Sequence, residues 1–486
     1  MQKKIIFHFL SKICLGFTSL LSVPIILAIF YGDGCFLPFF FTGLVSLLIA
    51  VGFAFYSKAA NLNNISIREG IGTVFFSWVL VAFLSSLPFK FGGFLSLAGA
   101  YFESMSGLTT TGATCFSSLD NLPQSILMWR SLTHWIGGIG IIVLFVAFLP
   151  QMPGSAQYLF NAEATGFSTG RIKPRIKSTA LELFKIYAGL TLILLIILWF
   201  TGMNFYDAIY HSFSAIATGG FSNYTNSVGY YNNAWFEFIL GIFMLLAGGN
   251  FALYFAAVRE RSLKSIWENL EFRVYIYFVL AITLLIALNI SYSLDENFLH
   301  SLRLAFFHVA SFCSTTGFVA ADYEVWPAFS KLLLALTFFT GACAGSTAGG
   351  IKICRLIVLI KTVSAELRRA LHPQMLLTVY YDNKQLPVST IISISRFFFL
   401  YTLTVVVLGL AVSATGLEIE EAIFGVASCV SSVGPAFGRI GATGNFSVVN
   451  DFGKLIFSLA MLLGRLELFT ALVLLRSEYW TKNERW

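Results

Sequence analysis

The chain has 486 residues, of which 57% are hydrophobic and 11% are charged. Soluble globular domains carry about 25% charged residues, so this composition excludes a soluble domain and indicates an integral membrane protein. Apolar runs of about 20 residues recur along the chain, which predicts membrane-spanning helices.

Two hydrophobic segments come first, near 12–31 and 36–57. Lys3 and Lys4 precede the first segment, as in a signal peptide. However, the small-residue cleavage site is missing and a second apolar run follows at once. We therefore predict that residues 1–60 form a retained, accessory pair of helices.

The remaining chain is predicted to form four M1-P-M2 units, at 61–150, 151–260, 261–375 and 376–486. In each unit an outer helix (M1) is followed by a short re-entrant helix (P), a small-residue loop and a second helix (M2). The P segments are too short to cross a bilayer, and irregular backbone at membrane depth is tolerated only where it lines a cavity. The prediction is an all-α membrane protein with ten transmembrane helices and four re-entrant pore loops around one pore.

The helix positions follow from the apolar runs. The M1 helices are predicted near 68–88, 178–202, 273–293 and 390–415, the P helices near 97–111, 204–218, 298–316 and 418–433, and the M2 helices near 124–150, 235–258, 327–371 and 453–476. The M2 helix of unit three is predicted to be interrupted.

Basic residues test the orientation of this arrangement. With both termini in the cytoplasm, 24 of the 31 Lys and Arg residues fall on the cytoplasmic side, six fall outside and Arg465 lies within a span. This is the asymmetry that the positive-inside rule predicts, and a missing or extra span would destroy it. The net charge of +7 therefore reports topology. It does not indicate a nucleic-acid partner.

Four related loops close the P segments. They contain Thr110-Thr111-Gly112, Thr218-Gly219, Thr315-Thr316-Gly317 and Val433-Gly434. Glycine lets a backbone turn its carbonyl groups toward a central ion, and rings of carbonyls can replace the hydration shell of that ion. The C-termini of the P helices add partial negative charge, which favours a cation. One Thr-Gly loop alone is more often an ordinary turn, but four copies between spans favour a selectivity filter.

The spacing within the loops adds a second regularity. The glycines lie 107, 98 and 117 residues apart, and the residue six positions before the glycine is Ser106, Ser311 or Ser428 in three of the units. These hydroxyl groups are predicted to support the loops.

A small-residue stretch interrupts the M2 helix of unit three. It contains the candidate gate residues Gly345, Ser346, Thr347, Gly349, Gly350 and Lys352. Such residues cannot sustain a stable helix. A phosphate-binding loop does not fit, because Ile351 separates the last glycine from the lysine. Close helix packing is the alternative, but a break in only one of four units favours a mobile gate beneath the filter.

Arg465 lies in the middle of the last predicted span. An ionisable residue at that depth is a functional candidate by default. If it faces the pore, its charge repels cations and forms a barrier. Alternatively, it pairs with an acidic group on a neighbouring helix, and both can hold.

No catalytic set emerges from the sequence. The six histidines are scattered without metal-ligand spacing, and no nucleotide-binding fingerprint occurs. We therefore predict that the protein is not an enzyme and binds no covalent cofactor. A secondary transporter with alternating access is a further alternative, but it predicts inverted repeats, whereas these repeats share one orientation.

The four loops, the stretch Gly345 to Lys352 and Gly464-Arg465-Leu466-Glu467 together resemble the Trk/Ktr/HKT superfamily of potassium transporters. The N-terminal helix pair resembles the bacterial TrkH type in particular. The resemblance implies potassium uptake across a bacterial inner membrane. It also implies that Gly112, Gly219, Gly317 and Gly434 are the filter glycines, that residues 345–352 form the gating loop, and that Arg465 is the pore arginine.

The resemblance further implies a homodimer with one pore in each protomer, gated by a cytosolic ring of TrkA-like nucleotide-binding subunits. K⁺ is expected in the pore on backbone carbonyls, and a nucleotide only on the partner. Gly112 favours potassium, since a serine at the matching position of the plant branch goes with sodium preference. The fourth loop lacks a threonine before Gly434, so a less selective K⁺/Na⁺ or cation-coupled transporter remains the alternative.

Overall fold

The computed structural model describes residues 2–58, 66–140, 176–374 and 378–480. The regular structure in these ranges is helical, apart from a short antiparallel hairpin of Tyr380–Tyr381 and Lys384–Gln385 that the all-α prediction did not include. The predicted unit boundaries at residues 60, 150 and 375, and the last part of the first M2 helix, lie outside the described residues.

The N-terminal pair contains three helical segments, Lys3–Leu20, Ser22–Tyr31 and Phe36–Tyr56. The first segment begins nine residues earlier than predicted and is interrupted at Leu21. Pro24 explains the interruption, because it has no N–H to donate to the carbonyl four residues earlier. Both segments together form one candidate span, Lys3–Tyr31.

The M1 and P helices lie close to their predicted positions. The M1 helices are Ile67–Phe91, Ile176–Phe200, Leu270–Leu294 and Val388–Ser413, and the P helices are Leu97–Leu108, Phe205–Ile216, Phe298–Cys313 and Ile419–Ser431. Each P helix begins at a side-chain cap. Ser96, Asn204 and Asn297 accept a hydrogen bond from the first turn, and Glu418 forms a capping box with Glu421.

The M2 helices differ from the prediction. In unit two, Ala234–Ala247 and Phe251–Glu260 meet at 92°, and in unit four Asp451–Arg465 and the following segment meet at 111°. In unit three, Ala328–Phe339 and Ile353–Leu371 are separated by residues 340–352. The inference that only one M2 helix is broken is therefore wrong. Among the three M2 segments whose breaks the structure describes, unit three has the longest break.

Of the two additional breaks, the one in unit two follows from local sequence, and the one in unit four is defined by its backbone angles. Gly248 and Gly249 end the helix of unit two, and the Asn250 side chain caps the next one. In unit four the chain turns through Glu467 and Leu468, which both have positive φ angles of 54°. The M2 helix of unit one, Gln124–Ile139, continues to Gly140, where the described range ends.

Within the described residues, six helices are long and apolar enough to span a membrane, or eight when each bent pair is one span. The described helices of the other two M2 segments, Gln124–Ile139 in unit one and Ala328–Phe339 and Ile353–Leu371 in unit three, are not among these spans. Large apolar side chains face outward, including Phe200, Tyr292 and Leu410, at 79%, 91% and 69% exposure. Serine and threonine side chains are buried around the loops instead. This distribution places apolar surface against lipid and polar groups inside.

Candidate functional site

The four small-residue loops have the same backbone conformation. Left-handed φ angles occur in each loop at two positions, first at Thr110, Thr218, Thr315 and Ser432, and two residues later at Gly112, Gly220, Gly317 and Gly434. The residue between them donates its N–H to a serine carbonyl at the end of the P helix, at 2.8–2.9 Å in all four loops. The four units are therefore structurally equivalent at this site.

This equivalence corrects the register of the second loop. The residue that matches Gly112 is Gly220, with a φ angle of 82°, and Gly219 takes the central position of Thr111. The corrected register places Ser214 six residues before the glycine, so that a serine occupies this position in all four units. The sequence alone cannot show which of the two adjacent glycines matches Gly112, whereas the φ angle does.

Contacts between the glycines and neighbouring loops close the site into a ring. A Cβ atom at the glycine of one loop would overlap the central carbonyl oxygen of the next. The pairs are Gly112 with Gly219, Gly220 with Thr316, Gly317 with Val433, and Gly434 with Thr111. The loops thus contact one another in chain order around an axis, backbone against backbone. Glycine is required because any side chain would separate the loops.

Polar P-helix side chains hold the segments that follow the ring glycines. The residue nine positions before the glycine is Glu103, His211 or His308 in units one to three. Glu103 accepts the N–H of Cys115 at 2.8 Å, and His211 Nε2 lies 3.3 Å from the Ser222 hydroxyl. His308 Nε2 lies 3.1 Å from the Ala321 carbonyl. Each side chain therefore connects its P helix to the loop that returns from the ring.

A buried ion pair joins the first and second loops. The Arg130 guanidinium lies 2.8 Å from Glu103 Oε1 and donates to the Ser222 carbonyl at 3.0 Å. It also lies 3.3 Å from the Thr114 hydroxyl and over the Phe221 ring. Arg130 and Glu103 are each 1% exposed. Arg130 is one of the six basic residues that the predicted topology places outside. An acidic residue within a P segment was the available signal for a buried partner.

Unit four contains a second ion pair behind its loop. Glu421 is buried in the first turn of its P helix, and Arg439 donates to it at 2.7 Å from a half-exposed position. The hydrogen bonds from the Arg439 side chain lower the pKa of Glu421 from its ordinary value of 4.5 to about 2. Glu421 also accepts the Arg439 N–H at 2.9 Å, so the pair fixes the chain after the fourth loop.

The stretch 340–352 lies against the side of the ring that carries Thr110, Thr218, Thr315 and Ser432, which we call its threonine end. Thr218 donates its hydroxyl to that of Thr347 at 3.3 Å, and Gly349 donates its N–H to the Thr315 hydroxyl at 2.9 Å. A Cβ at Gly349 would overlap the Ser431 carbonyl. The stretch therefore contacts units two, three and four directly beneath their loops.

Arg465 lies beneath the loop of unit one. Its guanidinium lies 3.4 Å from the Thr110 hydroxyl and donates to the carbonyls of Gly137 and Gly138 at 2.5 and 3.0 Å. It also donates to the Thr347 carbonyl at 3.1 Å. Arg465 and the 340–352 stretch together cover the threonine end of all four loops.

The other predicted gate residues hold the stretch in shape. Ser346 donates to the Cys343 carbonyl at 2.6 Å, the buried Lys352 ammonium donates to the Ala348 carbonyl, and Gly345 and Gly350 have φ angles of 74° and 69°. Glu467, two residues after Arg465, is bound by Arg355 at 2.8 Å. Arg355 lies three residues after Lys352, so this ion pair connects units three and four.

Glu271 is a site residue that sequence reasoning missed. This buried carboxylate accepts the N–H groups of Ala344 and Cys354 at 2.8 and 3.1 Å. It thereby holds both arms of the 340–352 stretch, whose neck is closed by the hydrogen bond from Gly341 N–H to the Ile351 carbonyl at 2.7 Å. An acidic residue in the first turn of an M1 helix resembled a helix-terminal charge, and its partners lie more than 70 residues away in the chain.

The groups that line the ring determine which ligand it suits. The ring offers closely spaced backbone oxygens at the C-termini of four P helices and carries no ionisable side chain, which suits a dehydrated monovalent cation. A cavity of about 70 Å³ opens on the side of the ring that carries the residues after the glycines. The opposite side is covered. Within the described residues, no group of three His, Cys, Asp or Glu side chains could hold a metal ion.

A ring of re-entrant loops, each between two membrane helices, defines a channel-like membrane transport protein. The family model described as TrkH, cation transport protein, matches residues 37–482. The chain belongs to this TrkH family.

The sequences of individual relatives align with this chain over almost its full length. The Trk system potassium uptake protein TrkH of Salmonella typhimurium is 38% identical over 468 residues, 96% of each chain. The Trk system potassium uptake protein TrkG of Escherichia coli is 32% identical over 464 residues, 94% of each chain. The crystal structure of the potassium transporter TrkH from Vibrio parahaemolyticus matches with a TM-score of 0.90 and 34% identity, covering 99% of this chain and 100% of that one. The predicted family and the helical membrane fold are confirmed, and so is the prediction that the protein is not an enzyme.

Proposed function

We propose that this protein takes up K⁺ through a pore whose selectivity filter is the ring of four loops. The observation that carries the proposal is the closed set of glycine-to-carbonyl contacts, because it fixes the distance between loops without any side chain. The relatives named as potassium uptake proteins support the choice of ion.

K⁺ is the transported ion, and no covalent cofactor takes part. Its ligands are backbone carbonyl groups of the filter residues Thr110, Thr111, Gly112, Thr218, Gly219, Thr315, Thr316, Gly317, Val433 and Gly434, to which the corrected register adds Gly220. Transfer of K⁺ from water to such a ring replaces its hydration shell with fixed oxygens.

The gate consists of the 340–352 stretch and Arg465. Both contact the threonine end of the ring, so an ion that leaves the filter meets a guanidinium group and closely packed backbone. Conduction therefore requires the stretch to move. The hydrogen bonds of Thr347 and Gly349 to the loops, and those of Glu271 to Ala344 and Cys354, are the contacts that must break or rearrange.

A cytosolic partner would supply the force for that movement. The relatives are named as members of a Trk system, and we infer a ring of TrkA-like nucleotide-binding subunits, with nucleotide only on the ring and with two transporter copies above it. The helix Ile353–Leu371 begins where the gate ends and carries exposed basic residues such as Arg368 and Arg369. Together with residues 259–264, it offers a basic surface to this partner. Residues 171–177 are also basic in sequence, but they lie largely outside the described residues.

The proposed location is the bacterial inner membrane, with both termini in the cytoplasm. The distribution of Lys and Arg supports this orientation. In this orientation the 70 Å³ cavity faces the periplasm and the gate faces the cytoplasm.

A less selective K⁺/Na⁺ transporter, or a cation-coupled one, is the second candidate. The fourth loop reads Ser432-Val433-Gly434, so Val433 stands where the first and third loops have a threonine. The ring is therefore not four-fold symmetric in its side chains.

Uptake of radiolabelled Rb⁺ into proteoliposomes, with K⁺ and Na⁺ as competitors, tests the proposal on the wild type and on Gly112→Ser. The wild type should favour K⁺ over Na⁺. The variant should lose that preference, because its side chain would overlap the Gly219 carbonyl. Gly93→Ser is the matched control, since Gly93 has a φ angle of 73° but no neighbour within 4 Å.

A protein that is closed without its partner would transport nothing in this assay. A variant lacking residues 345–350 resolves that case, because removal of the gate should open the pore. Equal competition by Na⁺ and K⁺ in the wild type would favour the second candidate. Absence of Rb⁺ uptake in both the wild type and the deletion variant would refute the pore.

A further inference from the structure

We propose that His134 is a positioning residue for the filter. Its ring replaces the side chain that the second loop lacks, and it thereby sets the preference for K⁺ over Na⁺. This inference rests on the proposed function of the ring as a filter. It adds a determinant outside the loops, on the M2 helix of unit one.

Loops one and three are supported from behind by pairs of hydroxyl groups. Thr109 and Thr111 share a hydrogen bond of 2.8 Å, and Ser314 and Thr316 share one of 2.7 Å. In both cases the second member is the central residue of the loop, whose carbonyl contacts the preceding loop's glycine. The fourth loop uses Val433, which is buried in an apolar cluster with Phe338 and Phe437.

The second loop has neither arrangement. Its two corresponding residues are Ala217 and Gly219, which provide no hydroxyl group and, at the central position, no side chain at all. Without another support, the backbone at Gly219 would be the least restrained part of the ring. The Gly219 carbonyl is the one that contacts Gly112.

The His134 imidazole occupies the vacant space. A Cβ atom at Gly219 would overlap this ring. His134 Nδ1 lies 3.0 Å from the Ser214 hydroxyl, and the ring stacks on Phe221 with centroids 4.1 Å apart. Ser214 also accepts the Gly219 N–H at its carbonyl. The fully buried histidine therefore contacts the second loop before, at and after its central residue.

Comparison with unit four indicates that the histidine is specific to this place. Gly137 packs on the Leu108 carbonyl and Gly464 on the Val430 carbonyl, so the two glycines are equivalent positions of their M2 helices. Three residues earlier, unit one has His134 and unit four has Met461, both fully buried. Around the ring, unit four is followed by loop one. The central residue of that loop, Thr111, has a side chain and a hydroxyl partner. The His134 imidazole thus lies in the unit that precedes the second loop, whose central residue Gly219 has no side chain.

The test measures Rb⁺ uptake and its inhibition by K⁺ and Na⁺ for His134→Ala, for Gly219→Thr and for the double variant. His134→Ala should lower the K⁺/Na⁺ preference by about fivefold to tenfold, as expected for one lost hydrogen bond with its packing. Gly219→Thr alone should be inactive, because its side chain and the His134 ring need the same space. The double variant should recover most of the preference, since the threonine fills the space as in loops one and three.

Met461→Ala is the matched control, because it removes a buried side chain at the equivalent position of the M2 helix in unit four. Both alanine variants should lower the melting temperature, but Met461→Ala should leave the K⁺/Na⁺ preference unchanged. An unchanged preference in His134→Ala, or an equal loss in Met461→Ala, would overturn the role of His134. If His134→Ala does not fold, failure of the double variant to fold would also overturn it. A wild type without ion preference would instead refute the filter itself.

Discussion

Arg130 and Glu103 show how single residues stabilise the ring at a distance from the ion. Both are buried, and Arg130 also binds the chain two residues after Gly112 and Gly220, at Thr114 and Ser222. Removal of one member of such a pair leaves an uncompensated buried charge, which costs about 3–5 kcal/mol.

The first prediction concerns this pair. Arg130→Met should lower the unfolding free energy by about 3–5 kcal/mol, whereas the double variant Glu103→Gln/Arg130→Met should recover part of the loss. Thermal unfolding in detergent measures both. Lys264→Met removes one member of an exposed pair, with side chains 77% and 66% exposed, and serves as the control without measurable effect. Equal stability of Arg130→Met and the wild type would contradict a structural role for the pair.

The second prediction concerns pH. The folded-state pKa of Glu421 is about 2, below its ordinary value of 4.5, because Arg439 binds the ionised form. A depressed pKa gives stability that is fully present above the ordinary value and is lost as the pH falls toward 2. The melting-temperature difference between the wild type and Glu421→Gln should therefore be constant at neutral pH and shrink below about pH 4.5. A difference that grows in acid would show the opposite linkage.

At the scale of elements, the break in the M2 helix of unit three is the part that contacts the loops. Residues 340–352 leave the helix, contact three loops and return, and Glu271 holds both arms. Each hydrogen bond to an ionised group contributes about 1.5–3 kcal/mol, so this carboxylate restrains both arms of the stretch at once.

The third prediction follows from that restraint. Glu271→Ala should free the stretch and raise Rb⁺ uptake by the transporter alone, without its partner. Glu268→Gln is the control, because its side chain is 66% exposed and lies three residues away on a neighbouring helix. Reduced uptake in Glu271→Ala, with normal folding, would mean that the carboxylate supports the open arrangement instead.

At the scale of the whole molecule, the cysteines allow the orientation to be measured. All seven are buried and unpaired, where cysteine packs as a small hydrophobic residue, so they should give little background with water-soluble thiol reagents. The hairpin at 380–385 and the segment after the fourth loop lie on opposite predicted sides.

The fourth prediction uses these two segments. A membrane-impermeant reagent should label Thr443→Cys in intact spheroplasts, and it should label Lys384→Cys only after the membrane is opened. The wild type is the background control. The reverse pattern would invert the topology and would place the gate on the periplasmic side.

The sequence by itself determined the class of protein, the repeats and most helix positions, because these depend on local composition. Apolar length defines a span, and a run of small residues ends a helix wherever it occurs. The loops around Gly112, Gly317 and Gly434 were recognisable for the same reason. The roles of these residues in ion selection and gating remain predictions.

The tertiary structure decided what depends on contacts between distant parts of the chain. It selected Gly220 over Gly219 as the ring glycine, because the choice lies in a backbone angle that neighbouring loops impose. It placed His134 in the space behind Gly219 and paired Arg130 with Glu103. It also showed that more than one M2 helix bends. Such contacts join residues that neither periodicity nor composition relates, so packing alone establishes them.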